Sequence, residues 1–175
     1  MVVTNEDELY DRMALYRSHG MRRKRYYWHD LVGHNFRLTN LQAALGVAQM
    51  ERLETIIFER KRVHRQYQSL LSENPGVTLQ YYQPEVDGVL WAVALKLDPK
   101  AYPQGRDAVI DQMKEANIET RPGFVAPRYM DQLYACPKLP ITEELSDQVL
   151  SLPTYPTLKE EQIELICDQL KKLKR

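Results

Sequence analysis

Apolar residues at helical spacing over a long segment constrain the fold of this chain most. From Leu38 to Leu70 they recur every three or four residues, with one change of phase near Arg52. The segment Asn74-Pro75-Gly76 then ends the pattern. About 34 residues of α-helix span roughly 50 Å, which is longer than one small domain is wide. The spacing therefore predicts a long helix over residues 38–73 that bridges two domains.

The residues after this helix read as alternating strands and helices. Runs rich in strand-forming residues surround a turn at Asp87-Gly88, and a short third strand ends before Pro122. The final amphipathic helix follows a Thr-x-x-Glu capping box that begins at Thr157. The predicted elements are strands at 77–82, 89–97 and 118–121, and helices at 106–116, at 142–150 and after the capping box. Their order predicts an α/β (α+β) fold, with a small α/β sandwich domain over residues 74–175.

Charge and hydropathy exclude two classes of partner. Lys plus Arg and Asp plus Glu both number 24, so the formal net charge of zero argues against nucleic acid or an anionic membrane surface as a partner. No apolar run approaches the length of about 18 residues that a bilayer span needs, and the first four residues lack the basic and apolar regions of a signal peptide. We therefore expect no membrane partner and, by default, a cytoplasmic location.

The spacing of cysteines and histidines indicates no metal site. Cys136 and Cys167 are not in a CxxC arrangement, so neither a disulfide framework nor a zinc ribbon is supported. His29 and His34 are five residues apart, which fits neither one helix face nor a usual zinc pattern. No residue is therefore assigned as a metal ligand.

Two aromatic features leave alternatives open. Residues 22–29 form a basic and aromatic run that could grip phosphates and stack on rings, or could be a solvated loop with aromatic side chains packed beneath it. Trp91 lies in a predicted strand, where an aromatic side chain is more typical of a core than of a binding surface.

Residues 33–53 carry the most specific motif of the chain. It begins Gly33-His34-Asn35-Phe36-Arg37, continues through a Thr-x-x-Gln capping box at Thr39, and ends at Leu53. This string closely resembles the central signature of the DegT/DnrJ/EryC1/StrS family of pyridoxal-phosphate sugar aminotransferases. Three further segments resemble the family in the same order: residues 2–5 with the later His19-Gly20, residues 118–122, and residues 150–156.

Within this family, the resemblance is strongest to perosamine synthetases. These enzymes aminate a 4-keto-6-deoxy GDP-hexose with glutamate as the amino donor. The Asn-Phe-Arg form of the signature and the segment Glu119-Thr120-Arg121-Pro122 carry this finer likeness.

The resemblance implies the C-terminal part of a fold type I pyridoxal-phosphate-dependent transferase. Residues 1–37 would be the incomplete end of the large cofactor-binding domain, residues 38–73 the long interdomain helix, and residues 74–175 the small C-terminal domain. In the family, the lysine that holds pyridoxal phosphate as a Schiff base precedes a valine-rich strand that Met1-Val2-Val3-Thr4 resembles, so this lysine would lie upstream of Met1. We therefore assign no catalytic residue, and we expect this chain to be inactive alone.

The resemblance assigns one contact with the cofactor. In the family, the asparagine of the Gly-x-Asn-x-Arg segment reaches across a dimer to the cofactor phosphate of the neighbouring subunit, and this role carries over to Asn35. An amide suits it, because its N–H group donates to a phosphate oxygen without adding charge. The alternative is that Asn35 is only a turn residue at the entry to the helix.

Substrate contacts are predicted at four residues: His34, Arg37 and Arg121 of the matching segments, and Arg128, which follows a little after the Arg121-Pro122 pair. A guanidinium group can hold an anion through a planar fork of donors, and Arg37 and Arg121 lie near predicted element ends. Arg37 could equally form a structural salt bridge. Arg128 stands where the family often has a histidine, a departure that affects the identity of the substrate.

The sequence therefore predicts the C-terminal portion of a sugar-nucleotide aminotransferase. Its partners would be a nucleotide sugar and glutamate in the full-length enzyme, with pyridoxal phosphate as cofactor and a homodimer as the assembly. The alternative is a non-catalytic interaction or regulatory module derived from the same fold, which would rest on the basic and aromatic run at residues 22–29.

Overall fold

A computed structural model describes residues 2–22, 24–25, 27–130 and 136–175 of the chain. The chain divides into two compact units, Met1–Arg52 and Leu53–Arg175. The boundary lies inside the segment predicted to be one interdomain helix. The division into residues 1–37, 38–73 and 74–175 stays a prediction.

The first unit contains two helices, α1 (Asp7–Arg17) and α2 (Asn40–Glu51). The capping box predicted at Thr39 is confirmed. The hydroxyl oxygen of Thr39 accepts from the backbone N–H of Gln42 at 3.3 Å. The side chain of Gln42 accepts from the backbone N–H of Thr39 at 2.9 Å. These bonds satisfy two donors that the first turn of a helix leaves free.

The long helical segment is interrupted at Arg52. Its φ of −104° and ψ of 2° depart from helical values, and α3 (Leu53–Leu71) begins at the next residue. The single helix predicted over 38–73 is therefore two helices. The change of phase in the apolar pattern marks the interruption.

The second unit is built on a four-stranded antiparallel sheet, with β1 (Val77–Leu79) at one edge, followed by β2 (Val93–Leu97), β4 (Val149–Leu152) and β3 (Arg121–Pro122). Its elements after α3 are β1 (Val77–Leu79), β2 (Val93–Leu97), α4 (Arg106–Glu115), β3 (Arg121–Pro122), a 3-10 turn (Pro127–Tyr129), α5 (Pro140–Gln148), β4 (Val149–Leu152) and α6 (Glu160–Lys172). Leu95 of β2 lies opposite Leu150 of β4. This arrangement confirms the predicted α/β fold.

The core of the second unit lies between one face of the sheet and helices α3, α4 and α6. Alternate residues of β2 point into it, as period-two strand geometry requires. On the strand's other face, Lys96 forms an ion pair with Glu144 of α5 at 2.5 Å. The fully or almost fully buried apolar residues of the core include Val63, Tyr67, Val93, Leu95, Val109, Met113, Leu150, Ile163 and Leu170.

Two sequence predictions are wrong near the C-terminal end. The helix predicted over 142–150 ends at Gln148, and the next four residues form the central strand β4. The capping box predicted at Thr157 is absent, because α6 begins at Glu160 and its capping bond runs from the Lys159 N–H to the Gln162 side chain at 3.0 Å. Across the described residues, every helix is too short or too polar to span a bilayer.

Candidate cofactor and substrate site

Residues 34–36 are hydrogen-bonded to the C-terminal end of α1. The N–H group of His34 donates to the Tyr16 carbonyl at 2.7 Å, and that of Phe36 donates to the Arg17 carbonyl at 3.0 Å. The last carbonyls of a helix have no donor within the helix, and these bonds supply one. The backbone is therefore fixed on both sides of Asn35.

Two glycines allow the backbone of residues 31–33 to pass very close to that of residues 19–20. Gly20 has a φ of +69°, and a Cβ atom on it would lie 1.9 Å from the carbonyl oxygen of Leu31. A Cβ atom on Gly33 would lie 2.2 Å from the nitrogen of Gly20 and 2.6 Å from the carbonyl carbon of His19. The obstructing atoms belong to the backbone, so no side-chain rotation could make room. The two backbone segments cross at a distance that only glycine permits.

Arg37 orients the side chain of Asn35. The Nε atom of Arg37 donates to Oδ1 of Asn35 at 3.2 Å, and both side chains are exposed. This bond uses an acceptor of the amide, and within the described ranges the amide nitrogen has no hydrogen-bond partner. A free amide N–H beside a guanidinium group is a donor set that suits a phosphate. These two residues can therefore donate to a phosphate group, and the role of Asn35 as a contact with the cofactor stays a prediction.

His34 lies beside this pair. Its ring stacks on that of Phe36, with centroids 5.0 Å apart and an interplanar angle of 22°. Both side chains are at least partly exposed. The structure thus brings together three of the five predicted site residues, His34, Asn35 and Arg37, in one exposed turn.

Side chains of the basic and aromatic run at residues 22–29 contact one another and Asp30. Arg23 and Tyr26 lie outside the described residues. Arg22 pairs with Asp30, which also accepts from Nε1 of Trp28 at 3.1 Å. The guanidinium carbon of Arg25 lies 3.9 Å from the centre of the Trp28 ring, a cation–π contact. Tyr27 and Trp28 are exposed, so the alternative in which aromatic side chains pack beneath the loop does not hold for these two.

Arg121 and Arg128 lie in the second unit, each beside an acidic residue. Nη2 of Arg121 is 3.0 Å from Oε1 of Glu119, and both side chains are almost four-fifths exposed. Nε of Arg128 is 3.8 Å from Oε1 of Glu143. Their roles as substrate contacts stay predictions.

Trp91 is exposed, so the expectation of a core position is wrong. It is 64% exposed, and its ring centroid lies 6.3 Å from that of Phe124, which is also exposed. The backbone at Trp91 is bonded to Arg60 of α3, whose Nη1 donates to the Trp91 carbonyl at 3.0 Å.

Arg60 belongs to a set of α3 residues that the sequence did not single out. Nη2 of Arg62 donates to the Leu158 carbonyl at 2.8 Å, and the Tyr67 hydroxyl donates to the Pro153 carbonyl at 3.0 Å. Burial raises the pKa of the Tyr67 hydroxyl, which keeps its proton available for this bond. The sequence carries one signal for Arg60. No acidic residue lies three or four positions from it on its helix, so its guanidinium group has no such ion-pair partner there and can bond elsewhere.

The residues that the structure describes contain no group of three or more His, Cys, Asp or Glu side chains that could hold a metal ion.

Comparison with known proteins gives a consistent family. The model of the DegT/DnrJ/EryC1/StrS aminotransferase family matches residues 1–171. The GDP-perosamine synthase of Escherichia coli O157:H7 is 33% identical over 174 residues, which cover 97% of this chain and 46% of that protein. The GDP-perosamine synthase of Vibrio cholerae is also 33% identical, over 98% of this chain and 47% of that protein.

A solved structure with the same fold is Helicobacter pylori PseC, described as an aminotransferase involved in the biosynthesis of pseudoaminic acid. It superposes with a TM-score of 0.84 at 24% identity, over 97% of this chain and 47% of that one. The chain thus spans about half the length of the proteins that it matches.

Proposed function

The chain belongs to the DegT/DnrJ/EryC1/StrS aminotransferase family, and we propose that it forms the C-terminal portion of a pyridoxal-phosphate-dependent sugar-nucleotide aminotransferase. The reaction would transfer an amino group from glutamate to a 4-keto-6-deoxy nucleotide sugar. The names of the two GDP-perosamine synthases support this substrate class. A cytoplasmic location stays a prediction.

The observation that carries the proposal is the fixed turn around Asn35 within the family's matching region. Its backbone is bonded to α1 on both sides, and Arg37 orients its amide. In the proposed enzyme, the amide N–H donates to the cofactor phosphate of the neighbouring subunit. When bound, pyridoxal phosphate supplies the electron sink that amino transfer needs. The guanidinium groups of Arg37, Arg121 and Arg128 would bind anionic groups of the substrate.

The exposed apolar surface of α2 supports a homodimer. Its side chains Leu41, Leu45, Val47 and Met50 point to several sides of the helix, yet no residue of α2 is buried. A helix that is apolar on several sides is normally covered. We propose that a second copy of the chain covers part of it, as the role proposed for Asn35 requires.

We expect the isolated chain to self-associate through α2. Leu41→Glu combined with Leu45→Glu should shift it towards monomer, because each change places a charge in the contact. Sedimentation velocity over a range of concentrations measures this. Leu165→Glu on α6 is the matched control, since Leu165 is an exposed leucine of the other unit. A chain that remains monomeric at all concentrations would contradict the dimer through α2.

The function is tested by adding the part of the relatives that this chain does not match. The joined protein consists of the upstream part of the E. coli GDP-perosamine synthase followed by residues 1–175. We expect it to form an amino sugar from a 4-keto-6-deoxy GDP-hexose, glutamate and pyridoxal phosphate, detected by mass spectrometry. The 175 residues alone should form none, because we find no lysine among them in the family's cofactor-binding context.

Two outcomes would contradict this proposal. One is a joined protein that folds and binds the cofactor but aminates no 4-keto-6-deoxy nucleotide sugar. The other is evidence that the 175 residues carry the catalytic lysine, seen either as turnover by them alone or as borohydride reduction that fixes the cofactor to one of their lysines. A folded joined protein without cofactor binding would favour the non-catalytic interaction or regulatory module.

A further inference from the structure

A polar pocket in the second unit, remote in sequence from the Asn35 turn, has the features of a separate ligand site. It has a volume of about 320 Å³ and lies between α3 and the segment that joins β1 to β2. This volume is at the lower end of the range for small-molecule sites. Neither the comparisons nor the proposed reaction uses it.

One side of the pocket is a single face of α3. Lys61, His64, Arg65 and Gln68 follow each other at steps of three, one and three residues, which places them side by side on a helix. Four side chains with hydrogen-bonding heads therefore line one wall.

The opposite wall is a loop that is tethered to α3 rather than free. Lys61 Nζ lies 2.7 Å from Oδ1 of Asp87, which joins the loop to the helix. Arg60 donates to the Leu90 and Trp91 carbonyls at 3.4 and 3.0 Å. The loop is therefore attached to α3 by polar contacts at two points.

An aromatic ring forms part of this wall. Tyr82 packs directly on the backbone of Gly88, where a Cβ atom would lie 2.4 Å from the ring. The ring of His64 meets that of Tyr82 edge-on, with centroids 6.0 Å apart. A flat group bound here could stack on or beside these rings.

The charge of the lining favours an anion. Lys61 is neutralised by Asp87, while Arg65 forms no ion pair within the described ranges. Burial lowers the pKa of His64, so its ring is neutral near pH 7 and can accept or donate one hydrogen bond. The lining thus has one free positive charge, carried by a guanidinium fork that suits phosphate or carboxylate.

We propose that this pocket binds a mononucleotide-sized phosphate ester, with the phosphate on Arg65 and the aromatic base beside Tyr82. The proposal is independent of the aminotransferase reaction, because it uses no residue of the Asn35 turn. It requires both parts of the ligand: a phosphate for the free charge and a ring for the aromatic wall.

The test is calorimetric titration of the 175-residue chain with GMP, ribose 5-phosphate, guanosine and inorganic phosphate. We expect GMP to bind, and each of the other three to bind at least about tenfold more weakly, because each lacks one of the two groups. Arg65→Gln should weaken GMP binding about 10- to 100-fold. Lys114→Gln, which removes one exposed positive charge from α4, should leave GMP binding unchanged.

A second readout locates the bound ligand. The pKa of His64, followed by NMR, should rise when GMP is present, because a nearby anion favours the imidazolium form. No heat with GMP, binding of GMP that Arg65→Gln leaves intact, or inorganic phosphate binding as tightly as GMP would each overturn the proposal.

Discussion

Gly33→Ala should destabilise the first unit by about 3–5 kcal/mol, the largest single effect that we expect in this chain. The new methyl carbon would lie 2.2 Å from the Gly20 nitrogen and 2.6 Å from the His19 carbonyl carbon. The two backbones would have to separate. That movement would break the bond from the His19 N–H to the His34 carbonyl and strain the one from the His34 N–H to the Tyr16 carbonyl.

Gly46→Ala provides the matched control. It is the same chemical change, but Gly46 lies in α2 with no atom within 4 Å of the new Cβ position. Alanine is the better helix former, so this variant should gain about 0.5–1 kcal/mol. Hydrogen exchange of the amides of residues 15–36, measured in both variants, separates the effects. Equal protection in the two variants would show that the glycine crossing does not hold the turn.

Asn35→Ala in the joined protein should weaken pyridoxal-phosphate binding by roughly 10- to 150-fold. The change removes one hydrogen bond to a charged group, which is worth about 1.5–3 kcal/mol, and about 1.4 kcal/mol corresponds to a factor of ten. Cofactor affinity and melting temperature are measured on the same preparation. The fold should persist, because the backbone bonds on either side of Asn35 do not involve its side chain.

Asn35→Asp distinguishes a donor from a turn residue. Aspartate keeps an oxygen for the bond with Arg37 Nε but has no N–H group for the phosphate. Cofactor affinity should therefore fall at least as far as in the alanine variant, with little change in melting temperature. Unchanged affinity in both variants, beside a lower melting temperature, would remove Asn35 from the site.

The sequence predicted those parts of the fold that depend on neighbours along the chain. The capping box at Thr39 is such a case, because both partners lie within four residues. The strand β4 was missed because Val149–Leu152 continues the apolar spacing of α5, and only its pairing with β2 makes it a strand. Likewise, the Thr157 capping pattern is not used, since Leu158 is buried and its carbonyl is bound by Arg62.

The residues of the candidate site could be predicted from the sequence, but the backbone contacts that hold them in place could not. The family signature named His34, Asn35 and Arg37, and the structure places all three in one turn. The crossing of Gly20 and Gly33 brings together residues 13 positions apart through backbone contacts alone. Such a contact leaves no periodic pattern of apolar residues in the sequence. The exposed position of Trp91 was equally hidden, because neither its exposure nor the bond to its carbonyl from Arg60, 31 residues earlier, leaves a local pattern in the sequence.

The bonds from α3 to residues 153–158 set the order in which the second unit can be completed during synthesis. Tyr67 and Arg62 find their acceptors 86 and 96 residues later, and α6 supplies Ile163 and Leu170 to the same core. As the chain leaves the ribosome, α3 and the first two strands emerge long before the surfaces that cover them. The apolar groups of α3 and the first two strands therefore stay uncovered until α6 follows, and apolar surface exposed in this way makes a folding chain prone to aggregation.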